Sequence, residues 1–142
     1  MSGVLMDTNA LIWFVNGDPI SRPALDAIAV AQTSRRIYVS PISAWEASLA
    51  AKKWNNQPNL GGRSPSDWFT AALAIPGVRL VGTSRKIALE AAEVPPIYGD
   101  GDPGDCFLIA TARTKRVPIV TRDGPMIALS EVNPSYLRTI PC

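Results

Sequence analysis

Apolar residues gather along the chain in short β-branched bursts, separated by longer stretches with helical spacing. The bursts fall at residues 3–6, 37–39, 78–81 and 117–120, each too brief for a helix and each predicting a strand. Between them the spacing predicts helices over 8–15, over 22–33 (Ser21 as cap, Pro23 in the first turn), and from Pro41 to about Lys52–Lys53. Further helices are predicted over 65–74, from Ser84 to about Glu93, and over GDCFLIATARTKR, which begins at Gly104. Strands that alternate with helices pair in parallel and carry helices on both faces. The pattern therefore predicts an α/β/α sandwich around a central, mainly parallel sheet. Two Pro/Gly/Asn-rich stretches, 55–63 and 95–104, read as flexible loops too short to separate domains. A chain of 142 residues is expected to form one domain over 1–142, burying roughly two thirds of its unfolded surface.

Two positions break this pattern. Asp105 shares a helix face with Leu108, Ile109 and Ala112. In ISAWEASL, Ile42, Trp45 and Leu49 form the predicted apolar stripe and Glu46 lies along its edge. A carboxylate facing a core is costly unless something cationic meets it. Two more acids end strands: Asp7 in VLMDTN and Asp123 in VTRDG. Parallel sheets bind ligands outside the carboxyl ends of their strands, where strand order reverses. Four acids are thus expected near one edge of one sheet.

Each has an ordinary structural alternative. Asp7 suits a helix cap, Asp123-Gly124 a turn, Asp102 and Asp105 a helix start, and Glu46 a salt bridge to a lysine. Taken together, clustered carboxylates raise one another's pKa, and a divalent cation reverses that preference.

Composition narrows the chemistry. With 46% hydrophobic residues and a mean hydropathy of +0.08, the chain is ordinary globular material. A net charge of +2 is compatible with a nucleic-acid partner without arguing for one. There is no histidine, which excludes histidine-dependent catalysis, His-ligated zinc and the usual serine or cysteine triads. Any metal would take oxygen ligands, pointing to Mg²⁺ or Mn²⁺. Cys106 and Cys142 do not form a disulfide framework, so a reducing cytoplasm is expected. No signal peptide and no membrane span are expected.

MDTNALI with Asp7, ISAWEASL with Glu46, DPGDCFLIATA with Asp105 and VTRD with Asp123 together resemble the PIN-domain ribonucleases, and among them the VapC-type toxins of bacterial toxin–antitoxin modules. The four motifs run in the family's order over nearly the whole chain. The resemblance implies a small α/β/α domain whose catalytic, metal-binding quartet is Asp7, Glu46, Asp105 and Asp123, holding one or two Mg²⁺ or Mn²⁺ ions. It implies hydrolysis of RNA to 5′-phosphate and 3′-hydroxyl ends, a cognate antitoxin and a homodimer. Thr8, Asn9, Ser43 and Thr121 match positions that hold ligands or water in place, with caps and solvated hydroxyls as the competing reading, and Asp102 of the D-P pair is expected to support the quartet.

Two departures stand out. Asp100 replaces a histidine common two residues before the D-P pair, and Cys106 replaces an arginine common after the third acid. Cys106, beside an anionic Asp105 and without histidine, suits packing rather than nucleophilic attack.

Contacts to RNA are expected from Lys52, Lys53, Trp54, Arg63 and Arg122. For Lys52–Trp54, a helix end that places cations at the negative pole of the dipole and half-buries the indole is the competing reading. Trp13, Trp45 and Trp68 are expected in the core or an interface, with Trp13, Phe14, Trp68 and Phe69 as anchor candidates for a dimer or antitoxin. Two rival functions remain. One is a catalytically inactive PIN-like module that binds RNA or protein. The other is a Mg²⁺ phosphatase with Asp7 as nucleophile, although haloacid-dehalogenase-type enzymes usually carry a second aspartate where this chain has Asn9.

Overall fold

A computed structural model describes residues 2–99 and 101–142. The departure at Asp100 lies outside the described residues. The elements run β1 (Val4–Met6), α1 (Thr8–Asn16), α2 (Arg22–Thr33), β2 (Ile37–Val39), α3 (Pro41–Ala51), α4 (Pro65–Leu73), β3 (Val78–Leu80), α5 (Arg85–Ala92), α6 (Pro95–Tyr98), α7 (Pro103–Lys115), β4 (Ile119–Thr121), α8 (Gly124–Val132) and β5 (Thr139–Pro141). Among the described residues the strands form one sheet in the order β3-β2-β1-β4-β5, with every neighbouring pair parallel. The fold is the expected α/β/α sandwich.

Alternation along β1 divides the core. Val4 and Met6 face one side, with Ala10, Leu11 and Ile12 of α1, Ile28 of α2 and Trp68 of α4. Leu5 faces the other, with Ile87 of α5, Leu108 and Ile109 of α7 and Met126 of α8. The chain lays β1, β2 and β3 outward in one direction, then crosses to place β4 on the far side of β1. The reversal between β1 and β4 leaves a crevice at their carboxyl ends.

Three elements depart from the sequence expectation. The 95–104 stretch, read as a flexible loop, contains α6. Asp123-Gly124 is not a turn but the start of α8, with Pro125 in its first turn. β5 pairs at the sheet edge, where Pro141 is tolerated because one side of an edge strand needs no ladder bonds.

Two of the three residues in the expected apolar stripe of α3 face outward, while Ile42 packs partly buried against the core. The buried residues of α3 are Ser43 and Ala47, while Trp45 and Leu49 stand 45% and 46% exposed. α3 packs among α1, α4 and α7, and only small side chains permit so close an approach. Trp45 is therefore not a core residue. Trp68 is fully buried, its ring 5.9 Å from that of Phe69, which rules it out as a surface anchor. Cys106 is buried against α5, in keeping with packing.

A candidate acidic site at the strand carboxyl ends

Three of the acids begin helices. Asp7 caps α1, its Oδ1 accepting from Ala10 N–H at 2.8 Å. Asp102 caps α7, its Oδ1 accepting from the N–H groups of Gly104 and Asp105 at 2.9 and 3.4 Å. Asp123 caps α8, its Oδ2 accepting from Met126 N–H at 3.0 Å. Three helix N-termini, each the positive end of a dipole, thus meet beside the β1–β4 crevice. Glu46, from the second turn of α3, and Asp105, from the first turn of α7, complete the group.

All five line one cavity of about 230 Å³, with Thr8, Asn9, Trp13, Leu108 and Arg122. Among the described residues, Glu46, Asp102 and Asp105 each place one carboxylate oxygen within 4.8 Å of the other two, a spacing that suits a metal ion. Asp7 and Asp123 line the same cavity from the strand ends.

Polar partners fix these groups. The Thr121 hydroxyl donates to Asp7 Oδ2 and accepts from Asp123 N–H at 2.9 Å, so one buried side chain ties the end of β1 to the end of β4. The Thr8 hydroxyl donates to Glu46 Oε1 and lies 3.0 Å from the hydroxyl of buried Ser43. Gly104 makes room for the glutamate. A Cβ on that residue would lie 2.7 Å from Glu46 Cδ and overlap Oε2. Tyr98 shares its hydroxyl proton between Asp105 Oδ2 at 2.8 Å and Asp123 Oδ2 at 3.0 Å.

The electrostatics match a site short of positive charge. Burial raises the pKa of Asp7 to about 6, with a smaller push from Asp123. Burial likewise raises Glu46 to about 7 and Asp105 to about 6, with repulsion from Asp102 and other acids adding to both. The Tyr98 hydroxyl is held firmly protonated, by burial first and then by its carboxylate neighbours. Among the described residues, the ion pairs are Arg22–Asp26 and Arg113–Glu90, both away from the cavity. Arg122 lines the cavity but stacks on Trp13, its guanidinium carbon 3.9 Å from the ring centroid, and donates to Pro19 O at 2.9 Å. An all-oxygen donor set, raised in pKa at Asp7, Glu46 and Asp105 and without an ion-pair partner among the described residues, fits a hard divalent cation.

The other positions expected to meet RNA are spread out. Lys53 lines an adjoining cavity of about 350 Å³ with Thr8, Asn9, Glu46 and Asn56. Lys52 ends α3 in solvent, and exposed Arg63 lies outside the acidic cavity. Trp54 is 92% exposed, against the half-buried reading. Tyr98 and Gly104 were not anticipated. The one signal for Tyr98 is an aromatic hydroxyl in a stretch that apart from Ile97 is made of proline, glycine and aspartate.

A family model, PIN domain, matches residues 4–131. The chain belongs to the PIN-domain family. Similar solved structures include DNA-bound VapBC from Salmonella typhimurium, 16% identical with a TM-score of 0.64, covering 99% of this chain and 98% of that one. VapBC2 from Rickettsia felis bound to a promoter DNA fragment is 13% identical, with a TM-score of 0.66 and 97% of each chain covered. A toxin–antitoxin complex from Klebsiella pneumoniae is 24% identical with a TM-score of 0.55, covering 85% of this chain and 87% of that one. No curated relative matches. The fold is shared with these structures, and this PIN domain carries its acidic residues at the crevice between β1 and β4.

Proposed function

We propose that this PIN domain, spanning the chain as one unit, is a Mg²⁺- or Mn²⁺-dependent endoribonuclease and the toxin of a type II toxin–antitoxin pair. Its partners would be a cognate antitoxin and a second copy of itself, and its place the cytoplasm. One observation carries the reading: five carboxylates, three with raised pKa, converge on a cavity where, among the described residues, no lysine or arginine forms an ion pair with them. Glu46, Asp102 and Asp105 would hold the ion together with Asp7 and Asp123. When bound, it supplies an acidified water and neutralises charge on the phosphate oxygens.

The chain's own residues do the rest. Thr121 fixes Asp7 relative to Asp123, and Thr8 fixes Glu46. Asn9 lines the mouth, placed to orient ligand or water. Arg122, held rigid on Trp13, and Lys53 offer contacts to phosphates flanking the scissile bond, with Lys52 and Arg63 further out. Water would add its oxygen to phosphorus as the P–O3′ bond breaks, and its proton would pass through solvent to the departing 3′ oxygen, giving 5′-phosphate and 3′-hydroxyl ends.

The test is incubation of purified chain with end-labelled RNA and with a small phosphate ester, with and without Mn²⁺. Metal-dependent RNA cleavage that falls by more than about a hundredfold in Asp7→Asn is expected. Turnover of the ester alone would assign the site to a phosphatase, and inactivity on both to a binding module. Asparagine is the right substitute because it keeps the cap on α1.

A further inference from the structure

Because every strand pair is parallel, all strands also start at one edge, and that edge gathers the opposite charge. Arg35 and Arg36 precede β2, Arg138 precedes β5, and α7 ends with Arg113, Lys115 and Arg116 just before β4. Six of the chain's 14 basic residues stand here. Backbone bonds join them: Arg36 O accepts from Val4 N–H and Arg138 O from Ile119 N–H, both at 3.0 Å, and the Arg138 guanidinium donates to Arg116 O at 3.3 Å. With neighbouring strands about 4.8 Å apart, the starts of β2 and β5 lie roughly 15 Å from each other.

Ordinary structural roles account for part of this charge. Arg113 pairs with Glu90 at 2.6 Å and stacks on Tyr136, and Lys115 lies 5.6 Å from the centroid of Tyr38. Cations at the ends of α2 and α7 also suit the helix dipoles. Arg138 follows no helix itself; its guanidinium donates to the Arg116 carbonyl at the end of α7 and stays exposed. Arg35 and Arg116 add an anomaly. Both sit in the left-handed region, at φ 58° and 59°, where glycine or asparagine would serve with less strain. Arg116 and Arg138 are exposed, have no acidic partner among the described residues, and line a cavity of about 210 Å³ with Arg113, Ser135 and Tyr136.

We propose that this basic edge is a second contact for the phosphate backbone of a folded RNA whose scissile strand lies at the acidic edge. The choice of RNA rests on the ribonuclease reading above. Five of the six cations are arginines, whose forked donors match phosphate oxygens in pairs. α7, roughly 20 Å long at 1.5 Å per residue, separates Asp105 from Arg116. An RNA must extend at least that far to reach both edges, so the edge favours long or folded RNA over very short single strands.

The test pairs Arg116→Asn, which tolerates the left-handed backbone, with Arg138→Ala. Binding of a fluorescent RNA hairpin is titrated against salt in the Asp7→Asn background, where the RNA stays whole. Affinity should fall at least about tenfold near 0.1 M salt, and the log–log salt slope should flatten by about one for each arginine removed. With Asp7 intact, the double variant should cleave a short single-stranded oligonucleotide at the unaltered rate. Unchanged hairpin affinity and slope would overturn the proposal. So would lost binding of polyglutamate with RNA affinity intact, which would assign the edge to an acidic protein. If the unaltered chain cleaves no RNA, the ribonuclease reading fails, while the hairpin titration still decides this one. Arg138→Gln alone, expected to give about half the slope change, covers the case in which the double variant fails to fold.

Discussion

At the carboxyl end of the sheet, charged side chains are folded into the protein. Asp7 is 7% exposed and bonded through both oxygens, Glu46 leans against Gly104, and Tyr98 spans Asp105 and Asp123. At the amino end, Arg116 and Arg138 stand in solvent, with one guanidinium bonded to a backbone carbonyl. Solvated charges cost the fold little and add little to it. Desolvated like charges are held at a loss, which a fold sustains where a counter-ion recovers it. The same ionic chemistry is thus under tension at one end and at rest at the other.

The sharpest way to break this contrast is a single methyl group. Gly104→Ala would push Glu46 out of its seat, and Mn²⁺-dependent cleavage should fall about ten- to hundredfold with hairpin binding unchanged. A wild-type rate would show that Glu46 is not held by close packing. Tyr98→Phe keeps the ring and removes one shared proton. Calorimetry should find Mn²⁺ binding about three- to tenfold weaker, because Asp105 and Asp123 lose the donor that holds them side by side. Binding as tight as before would reduce Tyr98 to a packing residue.

The smallest effect is on stability. Asp7 and Asp105 near 6 and Glu46 near 7 lie above their ordinary values of 3.8 and 4.5, so between about pH 4 and 7 the native state binds more protons than the unfolded one. Stability without metal should therefore fall as pH rises through that window. Calorimetric melting should show Mn²⁺ raising Tm above pH 7 and changing it little near pH 5. A metal-free Tm that climbs from pH 5 to 7 would refute the tension.

How far the sequence disclosed this arrangement depended on periodicity. β1, β2 and β4, with α1 and α7, were legible because their apolar spacing is unambiguous, and Asp7 and Asp105 interrupt it visibly. α3 misled, since Trp45 and Leu49 face outward while Ile42 packs partly buried and the small Ser43 and Ala47 face in. Burial there follows how closely helices approach, which spacing alone does not encode. α6 and β5 were hidden by prolines, and the bond from Tyr98 to two acids depends on how α6 packs. The basic edge was invisible for another reason: Arg35, Arg116 and Arg138 become neighbours only once strand order is known.

The capping role of the aspartates bears on how related chains are read. Asp7, Asp102 and Asp123 each start a helix, so a descendant that had lost the reaction would still need a capping side chain at each, which aspartate already supplies. Glu46 starts nothing. In a survey of such sequences, a glutamate exchanged for a neutral residue at that position, with three aspartates retained, marks a protein that has kept the architecture and given up the chemistry.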